Sequence, residues 1–184
     1  VQTNSTTPPL YLNGTVDNAT GTNQTAQTLM RTSNYIGRSN TSGDSYFDGG
    51  VSELVLFNSS LNSTQRILVE NYQAAQWGLQ TSLSVNSLKY ALTATTNYMT
   101  NVVGIGRQTS SDNMPSSLSG DGFGFNSAVG ANNFLQDDGD YLLAAHNGQY
   151  YNTISSSGVT TTTMWNRSWY VNKTDVGNNG GLVS

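Results

Sequence analysis

The stretch YIGRSNTSGDSYFDGGVSELVLFNSSLNSTQRILVENYQAAQWGL, residues 35–79, contains the strongest secondary-structure signals of the chain. In VSELVLF, residues 51–57, apolar side chains occupy both alternating positions, which is typical of an inner strand between two layers. YIGR, residues 35–38, predicts an earlier strand, and a Ser-Gly-Asp turn follows it. From residue 63 on, apolar residues recur at helical spacing. The stretch therefore predicts two strands followed by a helix.

The helix is predicted over residues 63–77 and has signals at both ends. Asn62 stands at the N-cap, and Gln65, three positions later, completes a variant of the capping box. Gly78 follows the last turn, where a glycine with positive φ commonly closes a helix. Apolar residues at helical spacing, such as Leu68, indicate the face that packs on a core.

Short strands separated by turn residues are predicted on both sides of this stretch. The pair Asn13-Gly14 within LYLNGTVD predicts a tight hairpin, since both residues tolerate positive φ. After residue 80, Gly, Asn, Asp and Ser separate strand-length runs: LKYALTAT, TNVVGIG, GDGFGFNSAV, DYLLAAHNG, QYYNTIS, GVTTTTMWN and RSWYVNK. Turn signals at this spacing favour a β-sandwich or barrel over a doubly wound fold.

Composition and charge exclude several classes of partner. Only 10% of the 184 residues are charged, and the net charge is −4 with an isoelectric point near 4.6. Such a surface cannot neutralise phosphates, so neither nucleic acid nor an anionic membrane is an expected partner. No apolar run is long enough to span a bilayer, and membrane insertion is not expected. Cysteine is absent, which excludes thiolate metal sites and disulfides.

The sequence contains few residues that could act in catalysis. His146 is the only histidine, and we expect it in a structural position at the end of a strand, before the Asn147-Gly148 turn. Glu53 and Glu70 are the only glutamates. Glu53 is expected in an inner strand and Glu70 on the helix facing away, so the two are poor partners for cleaving a glycosidic bond. The chain is therefore predicted not to be an enzyme.

An acidic turn is the best candidate for a metal site. Asp137, Asp138 and Asp140 surround Gly139, and carboxylates grouped on a turn are the hard oxygen ligands that calcium prefers. Their spacing differs from that of an EF-hand loop, and an Asp-Gly turn before a strand also forms without an ion. The sequence leaves both interpretations open, a calcium site and a simple turn. No other cofactor is expected.

Aromatic residues near the end of the chain suggest a carbohydrate surface. In MWNRSWYV, strand alternation would place Trp165, Arg167 and Trp169 on one face, and such a row suits cation–π contacts and stacking on sugar rings. Aromatic residues of β-sandwiches also commonly form cross-strand pairs in the core. Carbohydrate binding and core packing both stay open at these positions.

Asn-x-Ser/Thr sequons are concentrated in the first part of the chain, and residues 63–165 contain none. In a host that glycosylates, such sites would carry glycans on the protein surface. Asn13 and Asn62 are poor acceptors, because a hairpin turn and a helix cap use them. The candidate glycosylation sites are Asn4, Asn18, Asn23, Asn40, Asn58, Asn166 and Asn172.

Several motifs resemble a known family when they are taken in order. LYLNG, YIGR, FDGGVSELVLFN and the helix ending NYQAAQWGL, within residues 10–79, are similar to the C-terminal part of the concanavalin A-like or laminin G-like jelly roll of bacterial surface proteins. NVVGIGR, GDYLLAAHNG and MWNRSWYVNK resemble the β-domain of uncharacterised function that follows this jelly roll in large bacterial adhesins. The resemblance implies a lectin-like sandwich that the helix caps, and an extracellular or cell-surface location.

The predicted fold class is accordingly mainly β, with a jelly-roll or β-sandwich domain, one capping α-helix and a second β-sandwich-like domain. Three segments are expected: a polar N-terminal arm at residues 1–9, a partial jelly roll at residues 10–79 and a second β-rich domain at residues 80–184. The arm ends in two prolines, which is typical of a linker or an edge segment.

The predicted function follows from what the jelly roll lacks. A complete sandwich of that kind needs more chain before residue 35, so either the sequence is part of a longer protein or a neighbouring copy supplies the missing strands. We expect a non-catalytic extracellular structural or adhesive protein, a module of a cell-surface protein and a subunit of a filament completed by strand donation from residues 1–9. The alternative is a carbohydrate-binding, lectin-like module that depends on calcium. The expected partners are neighbouring copies and glycans.

Overall fold

The structure is a computed structural model that describes residues 9–17, 35–39, 41–91, 97–154, 162–165 and 167–177, with backbone alone at residues 151–154 and 162–165. The described residues fall into two compact units. The first holds Pro9, Leu10 and the described residues between 35 and 60, and the second holds residues 11–17 and the described residues from Leu61 on. The helix over residues 63–76 shares a hydrophobic core with the later strands. The predicted domain boundary between residues 79 and 80 stays a prediction.

The secondary structure of the described residues is mainly β, with antiparallel sheets and one α-helix, as the sequence predicts. The helix, α1, spans Ser63–Gln76, and a 3₁₀ helix spans Gln80–Ser82. The strands are β1 Leu10–Leu12, β2 Thr15–Asp17, β3 Thr100–Arg107, β4 Asn113–Met114, β5 Ser116–Leu118, β6 Gly124–Asn126, β7 Tyr141–His146, β8 Tyr151–Ile154, β9 Thr162–Trp165 and β10 Trp169–Thr174. No helix in this part of the chain is long and apolar enough to cross a bilayer. The jelly-roll topology and a second β-sandwich-like domain stay predictions.

The central sheet is four-stranded and antiparallel, in the order β10-β7-β3-β4. Its inner strand β7 is buried at every position. Because side chains alternate along a strand, Tyr141, Leu143 and Ala145 face α1, while Leu142 faces the opposite side. The run YLLAA, apolar at both parities, suits a strand that is covered on both faces.

Each face of this sheet has its own hydrophobic core. The first core joins α1 to the sheet and consists of Ile67, Leu68, Ala75, Tyr90, Tyr141, Leu143 and Ala145. The second core lies on the β5-β6 side and consists of Ile105, Phe134, Leu135 and Leu142, with Phe125 and Val129 packed against it. Burial of one large apolar side chain stabilises a fold by roughly 1.5–3 kcal/mol. The two cores therefore fix α1 on one face of the sheet and the β5-β6 side on the other.

Both ends of α1 have the predicted caps. The Asn62 side chain accepts a hydrogen bond from the Gln65 N–H at 2.8 Å, and the Gln65 side chain accepts one from the Asn62 N–H at 3.1 Å. At the other end, Gly78 has a φ of +68°, and the Leu79 N–H donates to a carbonyl of the last turn at 2.7 Å, as in a Schellman motif. The helix ends at Gln76, next to the predicted end at residue 77.

A second, long-range cap holds the start of α1. Asp112 lies between β3 and β4, and its carboxylate accepts hydrogen bonds from the N–H groups of Ser63 at 3.0 Å and Thr64 at 2.9 Å. The Thr64 hydroxyl donates to the Asp112 carbonyl at 2.8 Å. Burial by itself would raise the pKa of Asp112, but hydrogen bonds from Thr64 and Ser63 outweigh it and hold the pKa below its ordinary value of 3.8. The helix dipole favours the same ionised form.

We expect Asp112→Asn to lower the free energy of unfolding by about 1 kcal/mol at neutral pH, because an acceptor oxygen becomes a donor group. The native pKa lies below the unfolded value of 3.8, so the stabilisation is complete above that pH and is lost as the pH falls through the native pKa. Urea unfolding followed by tryptophan fluorescence measures this effect, because all 3 tryptophans belong to the second unit.

Asp44→Asn is the matched control, since Asp44 is exposed and belongs to the first unit. It should leave the tryptophan-reported transition unchanged at every pH. If the difference between wild type and Asp112→Asn stayed the same far below pH 3.8, the carboxylate charge would have no part in capping the helix.

The predicted hairpin between β1 and β2 is confirmed. Asn13 has a φ of +51° and Gly14 a φ of +78°, which is the pattern of a type I′ turn. The Gly14 carbonyl accepts a hydrogen bond from Ser87 Oγ at 2.9 Å. A Cβ at position 14 would lie 2.4 Å from that oxygen, so this close approach requires glycine. The turn is thereby fixed against the segment that follows α1.

The prediction of strands at YIGR and VSELVLF is wrong. None of the described residues between 35 and 60 lies in a strand. In the predicted inner strand, Leu54 is 55% exposed and Leu56 is 84% exposed. A strand needs a neighbour that pairs with its N–H and C=O groups, and no described segment pairs with residues 51–57. Residues 88–91 of LKYALTAT likewise form no strand.

Candidate functional site

A group of polar side chains meets at Asp121, in the turn between β5 and β6. Its carboxylate lies 2.8 Å from His146 Nε2 and 3.1 Å from Arg167 Nη1, and it accepts a further hydrogen bond from the side-chain amide of Asn101. The hydrogen bond from Asn101 is the main cause that holds the pKa of Asp121 below 3.8; burial opposes it, and His146 and Arg167 add to it. The turn therefore carries an ionised carboxylate at neutral pH.

His146 is held at both ring nitrogens. The Gly148 N–H donates to Nδ1 at 2.9 Å, which places the proton of the neutral ring on Nε2, facing Asp121. The side chain is fully buried. It ends β7 immediately before the turn, as the sequence predicts. A ring in this position can orient the turn that carries Asp121, but it has no nitrogen available for a substrate proton.

Arg167 is also engaged on several sides. Its side chain is 5% exposed, its Nε donates to the Gln149 carbonyl at 3.3 Å, and its guanidinium lies 4.5 Å from the centre of the Tyr150 ring. Such cation–π contacts are strongest where water is excluded. The Arg167 guanidinium thus serves as an internal link between Asp121 and the segment after β7.

The predicted row of Trp165, Arg167 and Trp169 is not on a single strand. β9 ends at Trp165 and β10 begins at Trp169, so strand alternation does not relate these two side chains. Arg167 lies between the strands and forms an ion pair with Asp121. The Trp169 ring stacks on Phe123 with 4.0 Å between ring centres, and both residues are half-buried. Carbohydrate binding by these three residues stays a prediction.

The acidic turn uses its carboxylates within the fold. Asp138 pairs with Arg107 at 2.8 Å. Asp140 is 1% exposed and accepts hydrogen bonds from the N–H groups of Asp137 at 2.6 Å and Val176 at 3.0 Å. The described part of the chain contains no group of three or more acidic, histidine or cysteine side chains placed to hold a metal. These bonds fit the turn interpretation, and a calcium site stays a prediction.

Two of the predicted glycosylation sites lie in the described part of the chain. Asn58 is exposed in the first unit. Asn172 lies in β10, and its side-chain amide donates to the Ala91 carbonyl at 3.0 Å, which occupies the nitrogen that would carry a glycan. Asn4, Asn18, Asn23, Asn40 and Asn166 lie outside the described residues. Attachment of glycans to any of these sites stays a prediction.

Sequence reasoning did not identify Asp121, Asn101 or Phe123. Asp121 stands between two glycines and reads as an ordinary turn residue, and its partners come from distant segments. A lone acidic residue in such a turn has no local signal that distinguishes it. The group is visible only once the sheet has brought β7 and β10 beside the β5-β6 turn.

Comparison of the chain with protein-family models, with curated proteins and with solved structures finds no match. The resemblance to the lectin-like jelly roll and to the adhesin β-domain therefore rests on the sequence motifs alone.

Proposed function

We propose that the chain is a non-catalytic structural or adhesive module of an extracellular, cell-surface protein, and that it associates with further copies of itself through residues 51–57. The observation that carries the proposal is the exposure of this apolar run. Val51, Leu54, Leu56 and Phe57 are 56%, 55%, 84% and 48% exposed. Contiguous apolar surface of this kind commonly marks an interaction site.

A second copy is the proposed occupant because the chain carries a complementary feature. The run VSELVLF has the β-branched and large apolar residues of a strand but pairs with no described segment. β10 is an edge strand among the described residues, with Val171 48% exposed. A strand added to such an edge gains main-chain hydrogen bonds and buries its apolar side chains.

A non-catalytic role is supported by the state of the titratable groups. His146 is buried with both ring nitrogens engaged. Glu70, one of the only two glutamates, pairs with Arg66 on α1. The low charge and the many sequons support an extracellular location, and the motif resemblance supports a surface protein of the jelly-roll and adhesin type.

Sedimentation of the whole chain over a range of concentrations tests the proposal. We expect the wild type to associate in a concentration-dependent manner. The double variant Leu54→Asp, Leu56→Asp should have a dissociation constant at least ten times larger, because it places two charges on the face that association buries. Ser60→Asp adds a charge beyond the end of the run without removing an apolar side chain, and it should retain most of the association.

A wild-type chain that sediments as a folded monomer at every concentration would exclude self-association. Deletion of residues 1–9 distinguishes the two candidate donor segments, the N-terminal arm and residues 51–57. If this deletion abolished association and the Leu54→Asp, Leu56→Asp variant still associated, strand donation would be assigned to the arm. Electron microscopy of the wild type then shows whether the association is open-ended, as in a filament, or closed.

A further inference from the structure

The Asn147-Gly148 turn that follows β7 is held by hydrogen bonds to the side-chain amide of Asn147. The carbonyl oxygen of this amide accepts from the N–H groups of Gln149 at 3.1 Å and Ser168 at 3.4 Å. Its Nδ2 donates to Ser168 Oγ at 3.0 Å. Two N–H donors on one carbonyl oxygen form the arrangement that stabilises the oxyanion of an acyl-transfer reaction. The Asn147 amide is therefore oriented and polarised as an electrophile.

His146 places a base on the neighbouring backbone nitrogen. Its Nδ1 accepts the Gly148 N–H at 2.9 Å, and its Nε2 lies 2.8 Å from the Asp121 carboxylate. A carboxylate behind one ring nitrogen keeps the proton there and leaves the other nitrogen basic, as in a Ser-His-Asp triad. Here the Gly148 amide takes the place of the serine hydroxyl. Because its nitrogen directly follows Asn147 in the chain, it can close a succinimide ring on the Asn147 Cγ.

The surroundings of His146 suit this basic form of the ring. Asp121 is the charged group that contacts the ring among the described residues, and it is also paired with Arg167 at 3.1 Å. Trp169 lies against the ring at an edge-on angle, with 4.9 Å between ring centres. A proton on Nδ1 would turn the acceptor of the Gly148 N–H into a donor. The hydrogen bond to Gly148 therefore requires the form that can take up a proton.

We infer that Asn147 is a self-modification site, which His146 converts to aspartate or isoaspartate with loss of ammonia. His146 takes the proton of the Gly148 amide, whose nitrogen forms a bond to the Asn147 Cγ while the bond from Cγ to Nδ2 breaks. The Nδ2 amine receives the proton that Gly148 lost and leaves as ammonia. Water then opens the succinimide ring at either of its carbonyl carbons. Each chain reacts once, so the inference is compatible with a chain that catalyses no reaction on other molecules.

Peptide mapping by mass spectrometry during incubation tests this inference, because it follows each Asn-Gly pair separately. Asn13-Gly14 is the internal reference, since both ring nitrogens of the only histidine are engaged elsewhere. We expect the folded wild type to convert Asn147 faster than the urea-unfolded chain does. His146→Gln should slow this conversion roughly 100-fold and leave the rate at Asn13 unchanged.

A second variant tests the carboxylate behind the ring. In Asp121→Asn, Arg167 retains the amide oxygen, so the amide nitrogen faces His146 Nε2 and the ring proton moves to Nδ1. The conversion of Asn147 should then slow roughly tenfold or more. Asp138→Asn makes the same chemical change in the turn before β7, at the other end of the strand from His146, and should leave the rate unchanged.

The pH dependence distinguishes a base from a histidine that only supports the turn, and it needs no variant. The rate at Asn147 should rise as His146 loses its proton and then level off, with the midpoint that ¹⁵N NMR of the ring reports. The rate at Asn13 should keep rising with hydroxide concentration. Three results would overturn the inference: slower conversion of Asn147 in the folded than in the unfolded chain, an unchanged rate in folded His146→Gln, or no plateau with pH at Asn147.

Discussion

Replacing Asn71 by alanine is expected to lower the free energy of unfolding by about 4 kcal/mol, because the variant leaves several buried backbone groups without partners. Asn71 is 1% exposed on α1. Its Nδ2 donates to the Ser87 carbonyl at 2.7 Å, and its Oδ1 accepts from the N–H groups of Lys89 at 2.7 Å and Tyr90 at 2.8 Å. Each such group costs roughly 1–3 kcal/mol when it is buried unpaired.

Water cannot easily replace the lost side chain. Ser87 is 3% exposed and Tyr90 is fully buried, so the segment that follows the 3₁₀ helix has no access to solvent at these groups. Asn71 also donates to the Ile67 carbonyl at 2.8 Å, within its own helix. The Asn71 side chain therefore fixes residues 87–90 onto α1.

Urea unfolding followed by tryptophan fluorescence measures the effect of Asn71→Ala in the second unit. Gln76→Ala is the matched control, because it removes an exposed amide from the same helix and should change stability by no more than about 0.5 kcal/mol. A loss of less than about 1 kcal/mol in Asn71→Ala would mean that the exposed backbone groups find new partners.

Gly106→Ala is expected to cost about 3 kcal/mol through a steric conflict across the sheet. Gly106 of β3 lies opposite Tyr141 of β7, and a Cβ at position 106 would lie 2.3 Å from two ring carbons of Tyr141. The ring is fully buried, and its hydroxyl is 2.8 Å from the Gln108 side-chain amide that donates to it. The ring can therefore yield only by disturbing the core beneath α1.

Gly120→Ala provides the control for the loss of glycine itself. A Cβ at position 120 meets no atom within 4 Å, and so this change should be neutral or slightly stabilising. Combination of Gly106→Ala with Tyr141→Leu tests the cause directly, because a smaller side chain leaves room for the new methyl group. The two changes should cost less together than their sum, and strict additivity would contradict a clash between these residues.

The elements that the sequence predicts correctly are those with signals within a few residues. Asn62 and Gln65 determine where α1 begins, and Gly78 determines where it ends. The Asn13-Gly14 pair likewise predicts its turn type from backbone conformation alone. These features depend on contacts between neighbours in the chain, and so they can be read before any tertiary structure is known.

The errors arise where structure depends on distant partners. VSELVLF has the composition of an inner strand, but pairing is what makes a strand, and no described segment supplies it. Glu70 is predicted to lie on the helix facing away, yet its side chain is only 16% exposed and forms an ion pair with Arg66. Asn71 could have been found, since a polar residue on the apolar stripe of an amphipathic helix indicates buried hydrogen bonds. For Asp121, nothing in the local sequence gives such an indication.

The link between Asp112 and the start of α1 couples two elements that are distant in the chain. Asp112 and Ser63 are 49 positions apart, and the folded structure closes the loop between them at a cost in conformational entropy. The carboxylate caps the first turn of α1 from the turn between β3 and β4. Local opening of either element therefore removes hydrogen-bond partners from the other.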